Sequence, residues 1–370
     1  MCLESKQKAE RTVRKAPTLK DVASLAGVSP YTVSAVINGA RSNTQVSEAT
    51  RRRIFASAEE VNYYPNAVAR SLASRKTYCL GVQFGILEPT QAIGNPYATA
   101  LLQGIMGEAA MHRYNVLLFT ETWVNASESA PTFRNRRTDG VILVAPLTDT
   151  DMLPALSALP LSLVAVSPDP AECPAHVPSV DVDNERGIFL AVEHLVRLGH
   201  TRIAHVTGNA NVASVTERRQ GFMDAGRKFG LPAVPEEYIV TATYDAATVP
   251  DILPRLLASP MPPTAIVAGN DNLALAIIAV CRTLNVRVPQ DLSVVGFDDM
   301  PSAREITPAL TTVRQPLREI GAEAVRLLLA DINAALETGG EPGKVHRPTR
   351  LQPQLIERES TSAVSPVVRT

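Results

Sequence analysis

The sequence predicts a multidomain chain: an all-α helix-turn-helix module at the N-terminus, then an α/β body of two lobes. Three observations point that way. Charge is split, with 13 Lys and Arg against 6 Asp and Glu in residues 1–76 and 23 against 31 in the rest, so a +7 module precedes a −8 body in a chain of net charge −1. Within residues 18–61, apolar residues recur at helical spacing in three short runs. After residue 77, short β-type runs alternate with helical stretches and the rhythm restarts after residue 180, which is the pattern of two parallel sheets with helices on both faces. A chain of 370 residues has room for such an arrangement. A basic module on an acidic body suits a polyanion partner, since phosphate neutralisation dominates nucleic-acid affinity.

Residues 1–17 are basic and lack apolar periodicity, a tail expected to stay disordered until phosphate is near. Thr18 and Asp21 form a T-x-x-D capping pattern opening "LKDVASLA", which Gly27 ends. Ser29 is a good N-cap and Pro30 suits the first helical position, so a second helix covers 30–38. Val33, Val36 and Ile37 must face inward, which leaves Pro30, Tyr31, Ser34, Ala35 and Asn38 outward. Helix, Gly-containing turn and short helix make a helix-turn-helix. After the loop "GARSNTQV", Ser47 caps a third helix carrying Arg51, Arg52 and Arg53 and the stripe Ile54, Ala58 and Val61, and Pro65 is expected to end it. Asn66 can then cap "AVARSLA", a helix of two turns that is marginal alone and expected to fold on a partner. The headpiece is thus 18–64, a hinge helix 65–76 and the body 77–370.

In the body the runs "CLGVQF", "VLLF", "GVILVA" and "LSLVAV" alternate with helices near 97–111 and 150–158. "RIAHVTG", "YIVTAT", "AIVAGN" and "SVVGFD" alternate with helices near 185–198, 216–229, 247–258 and 271–284. Ligands of open α/β sheets bind at the carboxyl ends of the strands, so two facing lobes put the natural site in the cleft between them. Cys2, Cys79, Cys173 and Cys281 have no metal-ligand spacing, which fits a reduced, cytoplasmic chain. His194, His200 and His205 fall on a helix, a turn and a strand, so they are read as structural and no metal or cofactor is called for. No apolar leader precedes the basic tail and no run of membrane-spanning length occurs, so export and membrane insertion are not expected.

The stretch "TLKDVASLAGVSPYTVSAVINGARSNTQVSEATRRRIFASAEEVNYYPNAVARSLA" resembles the DNA-binding headpiece and hinge of the LacI/GalR family of bacterial repressors. The resemblance continues through "NPYATALLQGI", "VDVDNERGIFLAVEHLVRLGHTRIAHVTG", "AGNDNLALA" and "RVPQDLSVVGFDD" into an effector-binding core of the type I periplasmic-binding-protein fold. It implies a homodimer on a pseudopalindromic double-stranded DNA operator, controlled by a small-molecule effector of the sugar type. Pro30, Tyr31 and Ala35 would lie on base edges, while Ser29, Ser34, Asn38, Ser47 and Thr50 would hold phosphates. Thr18, Leu19 and Tyr63 join that set by position. In the hinge, Asn66, Ala69 and Ala73 would approach the backbone and minor groove, with Leu72 as an apolar wedge. The effector would meet Tyr97, Arg218, Tyr244, Asn270, Asp298 and Gln315. Asn270 and Tyr244 read equally as scaffold, and Asp271 reads as the cap of the following helix.

The three crossings between lobes that the family implies put lobe 1 at about 77–181 and 310–337 and lobe 2 at about 182–309 and 345–360. Two departures stand out. Ala35 occupies a position where many members carry an arginine, and Ala165 aligns with an acidic residue at the end of "LSLVAV". The reading is therefore a sequence-specific, effector-controlled transcriptional repressor. A solute-binding protein of the same core is the alternative, but it needs an export signal and no basic headpiece. An α/β enzyme finds no GxGxxG, GxSxG or P-loop pattern to support it.

Overall fold

The computed structural model describes residues 17–38, 46–65, 71, 76–85, 94–232, 238–242, 246–338 and 345–364. It divides into two compact units, Met1–Thr77 and Tyr78–Thr370.

The first unit contains α1 (Leu19–Ala26), α2 (Pro30–Asn38) and α3 (Glu48–Glu60). The Asp21 carboxylate accepts from the Thr18 N–H at 2.7 Å and the Thr18 hydroxyl at 2.8 Å, closing the first turn. Gly27 ends α1 in the left-handed region at φ 61°, and the Val28 N–H reaches back to the Ala23 carbonyl. Val22, Ala23, Ala26, Val33, Val36, Ile54 and Ala58 form the core. Helix α3 stops five residues before Pro65. Asn62 takes φ 51° and the Tyr63 N–H bonds the Ala58 carbonyl, so a left-handed asparagine, not the proline, ends it.

The second unit holds two six-stranded sheets. The first is ordered β11-β5-β4-β3-β1-β2, from β1 (Cys79–Phe84), β2 (Asn115–Leu118), β3 (Gly140–Val144), β4 (Ser162–Val166), β5 (Ser179–Val182) and β11 (Thr349–Leu351). The second is ordered β12-β10-β9-β8-β6-β7, from β6 (Ile203–Thr207), β7 (Ile239–Thr241), β8 (Ala265–Ala268), β9 (Ser293–Asp298), β10 (Thr311–Arg314) and β12 (Gln354–Ile356). All pairings are parallel except β10 with β12. Helices cover the sheets: α4 (Pro96–Met111), α5 (Ala126–Phe133), α6 (Met152–Ser157) and α12 (Leu317–Thr338) belong to lobe 1. Helices α7 (Asn184–Arg197), α8 (Ala213–Lys228), α9 (Val249–Leu257), α10 (Asp271–Thr283) and α11 (Ser302–Glu305) belong to lobe 2. Helices α4 and α12 cross so closely that a Cβ on Gly104 or Gly321 would collide with the other helix's backbone.

The crossings fall later than the sequence reading puts them. Thr311–Arg314 pairs with β9, so the chain returns to lobe 1 only after Arg314. Thr349–Leu351 pairs with β5, so the last crossing lies between Leu351 and Gln354. Strands β5, β10, β11 and β12 and helices α5, α11 and α12 are additions to the elements read from sequence. β5 is four residues long with the buried charge of Asp181 between two valines, unlike the apolar run of β4 beside it, and α5 holds Pro131.

Candidate functional site

Two surfaces carry the predicted residues. On the first unit, Val33 and Val36 are buried, which turns Pro30 and Tyr31 to solvent and leaves Ser34 and Ala35 partly exposed. Tyr31 is 67% exposed, unusual for an aromatic side chain on a helix with a core to join. Ser29 Oγ accepts from the Thr32 N–H at 3.1 Å, and Ser47 Oγ from the Thr50 N–H at 3.2 Å. Both serines are therefore N-caps, with the exposed first turns of α2 and α3 beside them. Thr18 caps α1, Leu19 packs on the core, and burial pushes the half-buried Tyr63 phenol up. Of the three arginines, Arg53 donates to the Ala26 carbonyl at 2.8 Å, while Arg51 and Arg52 stand in solvent. The side chain of Asn38, the loop bearing Arg41, and Asn66, Ala69, Leu72 and Ala73 lie outside the described residues, as does Tyr244.

The second surface lies at the carboxyl ends of the strands. Arg218, on α8, is 6% exposed. Its Nε donates to Asn184 Oδ1 at 2.9 Å and its Nη1 to the Gly269 carbonyl at 2.5 Å. The guanidinium lies 3.7 Å over the Phe297 ring and 4.0 Å from Asp298 Oδ1. Gly269 follows β8, whose neighbour is β6, and the chain connects these strands in opposite directions around that crevice, where α/β sheets bind ligands. Asp298 ends β9 at φ 126° and Asp299 follows at φ 58°, two successive strained residues. Gln315 Nε2 donates to Asp298 Oδ1 at 2.6 Å. Burial raises the Asp298 pKa against the pull of Arg218 and Gln315. Asp299 is held by Arg314 at 2.7 Å and by Arg358.

From lobe 1, the Tyr97 hydroxyl lies 3.5 Å from Ser167 Oγ, which donates to Asp181 Oδ1 at 2.7 Å. Burial holds the Tyr97 phenol far above its usual range, Asp181 and Asp298 push the same way, and Arg218 pulls back, so this hydroxyl feels charges of both lobes. Asp181 is 4% exposed; burial first, then Glu217, pushes its pKa up to about 6. Asn184 Nδ2 donates to Asp181 Oδ2 at 3.2 Å and to Glu217 Oε2 at 2.8 Å. An unbroken polar path thus runs from Tyr97 through Ser167, Asp181 and Asn184 to Arg218, Asp298 and Gln315. A cavity of about 200 Å³ adjoins it, lined by Asp181, Arg350, Cys173, His346 and Pro168.

Four of the six predicted cleft residues, Tyr97, Arg218, Asp298 and Gln315, meet on this path. The oxygen of Asn270 accepts the Leu273 N–H at 2.8 Å, making Asn270 the cap of α10. The sequence gives that cap to Asp271, which instead accepts from the Met300 N–H at 2.7 Å and the Thr312 hydroxyl at 2.5 Å. Ala165 faces an apolar cluster with Phe119 and Leu143, so no carboxylate is missing from the cleft there; Asp181 on the next strand supplies one. Asp181, Asn184, Glu217 and Arg350 escape the sequence reading. The available signal is Asp181 itself, a charge inside "SVDV". The histidines are bonded within the fold: His194 to Thr361, His200 to Thr264 and Ser362, His205 to the Val267 carbonyl. Among the described residues no helix is long and apolar enough to cross a membrane.

Residues 18–66 match the family described as bacterial regulatory proteins, lacI family, and residues 192–361 match a periplasmic binding protein-like domain. Catabolite control protein A of Priestia megaterium is 34% identical over 85% of this chain and 92% of its own length. The chain belongs to the lacI family. The ribose operon repressor of Escherichia coli K12 is another lacI-type relative, 32% identical over 93% of this chain and 99% of its own. Among solved structures, the lac repressor dimer bound to operator and the anti-inducer ONPF superimposes with a TM-score of 0.77 at 28% identity, covering 94% of this chain and 100% of that one. A complex of the transcriptional regulator CelR with cellobiose gives 0.70 at 28% identity, covering 93% and 99%. As a lacI-family member, the chain is a DNA-binding transcriptional regulator.

Proposed function

We propose that this regulator is a homodimeric repressor whose operator affinity is set by a small, hydroxyl-rich effector bound between the lobes. Pro30, Tyr31 and Ala35 read base edges. Ser34, Asn38 and the first turns of α2 and α3 at Ser29, Ser47 and Thr50 hold phosphates, where exposed N–H groups suit an anion. Thr18, Leu19 and Tyr63 seat the headpiece, and Asn66, Ala69, Leu72 and Ala73 serve the hinge. Tyr97, Asp181, Arg218, Asp298 and Gln315 line the effector site, with Tyr244 as a further aromatic wall. The observation that carries the reading is the polar path from Tyr97 to Gln315: acceptors and donors from both lobes, buried at strand ends, offer a polyhydroxylated molecule partners on each side. Relatives named for a ribose operon and solved with cellobiose support the sugar class.

The reading predicts that the purified chain enriches one pseudopalindromic sequence from a random duplex library, and that some member of a panel of neutral pentoses, hexoses and disaccharides changes its affinity for that sequence. No enrichment, or an affinity that no member of the panel moves, contradicts it.

A further inference from the structure

Arg350 lies on β11, the last lobe 1 strand before the chain crosses to lobe 2, yet its guanidinium binds a lobe 2 carboxylate. Nη2 donates to Glu217 Oε1 at 2.6 Å and Nη1 to Glu217 Oε2 at 3.2 Å, a two-pronged contact. The same Nη1 also reaches Asp181 Oδ2 at 3.4 Å and the Val182 carbonyl at 3.2 Å, both on lobe 1. Two crossings meet here, because the Asp183 N–H bonds the Leu351 carbonyl at 2.9 Å. The carboxylates are poorly hydrated: the Asp181 and Glu217 side chains are 6% and 15% exposed, against 30% for Arg350. Without the guanidinium, two acidic groups from opposite lobes would face each other across Asn184 with only that amide between them. Glu217 precedes Arg218 on α8, and Asn184 bonds both residues, so the cluster is one step from the cleft cation.

We infer that Arg350 is a positioning residue: by clamping Glu217 to Asp181 at the crossings it holds the two lobes at one spacing and, through Asn184, fixes the Arg218 side chain. It touches no effector in this account. The inference rests on the reading of Arg218 as an effector residue only for its second half; the clamp stands on its own contacts.

The test uses the full chain without any ligand, spin-labelled at positions 158 in lobe 1 and 255 in lobe 2 through ketone-bearing residues, with the inter-label distance read by pulsed dipolar spectroscopy. The unmodified clamp should give one narrow distribution. Arg350→Met and Glu217→Gln should each roughly double its width or move its centre outward, and the double variant should open no further than the wider single one, because both act on one contact. Arg350→Lys keeps the charge but not the fork, so it should fall between. It also serves as the informative variant if Arg350→Met fails to fold. Melting of the core is followed in parallel, so that a changed distance at an unchanged Tm separates positioning from stability. A distribution as narrow and as centred in Arg350→Lys and Glu217→Gln as in the parent overturns the clamp. If the sugar panel instead fails while the distances respond, it is the effector reading that falls.

Discussion

On α2 the side chains proposed to read DNA face outward, with Tyr31 67% exposed, and Val33 and Val36 hold the helix from behind. In the cleft the side chains proposed to meet the effector are sunk: Arg218 is 6% exposed, Asp181 4% and Gln315 6%, each bonded to another polar group. The headpiece therefore separates reading from folding, since its outer side chains can change without touching its core. The cleft cannot, because its polar groups lie in the interior and each one's removal strands a partner. A surface built the first way adapts to new base sequences one residue at a time. One built the second way changes ligand only with its neighbours.

The contrast is sharpest for Asp181→Ala, which takes the acceptor from the Ser167 hydroxyl and the Val182 N–H, while Asn184 and Arg350 keep Glu217. Each buried donor left without an acceptor costs about 1–3 kcal/mol, so with two stranded the core should melt well below the parent while headpiece NMR signals stay folded. An unchanged core transition would show that the network relaxes freely.

Next in size is an acid effect. His205 is fully buried, and burial lowers its pKa to about 4, against a bond from its ring to the Val267 carbonyl. Its folded pKa is depressed, so the unfolded chain binds more protons between about pH 6.5 and 4. The stability it confers is present above that window and is lost as pH falls through it, on the order of 3 kcal/mol. Asp181 works oppositely: its raised pKa contributes stability at low pH that is lost as pH rises through about 6. Comparing His205→Gln with the parent isolates the histidine. The loss of core stability between pH 7 and pH 4 should shrink in the variant, and an equal loss in both would remove His205 from the account.

In the headpiece the effects fall by stages. Ser47→Ala removes the cap of α3 and should cost about 1 kcal/mol by headpiece denaturation. Ala35→Arg, on a partly exposed face, should leave stability within about 0.5 kcal/mol. It should nonetheless move base preference toward G·C at one position per half-site, by about 1–3 kcal/mol, seen by repeating the duplex selection. A preference that does not move would mean α2 docks in another register.

The same contrast governs what the sequence reveals. Caps, a Gly27 turn and 3.6-residue spacing are local, so α1, α2 and their outer face can be read residue by residue. The alternation of strands and helices is also local, and it places Tyr97, Asp298 and Gln315 at element ends, whereas Arg218 lies in the second turn of α8. Arg350 and Glu217 could not be paired that way: 133 residues separate them, and only the β11–β5 register brings the arginine beside Asp181. Ala165 misleads for a related reason: both faces of β4 are buried in apolar clusters, and it is Ser167, just past the strand's end, that reaches Tyr97 and Asp181. Pro65 misleads because Asn62 ends α3 first.

The most direct test joins the two regions in one titration. Arg218→Lys keeps the charge but loses the fork that reaches Asn184 and Gly269. Anisotropy of the selected operator duplex should show the variant binding DNA as the parent does without sugar, and no longer responding to the sugar that moves the parent. A variant that responds at the parent's sugar concentration, or that loses DNA binding with no sugar present, would contradict the division of labour between α2 and the cleft.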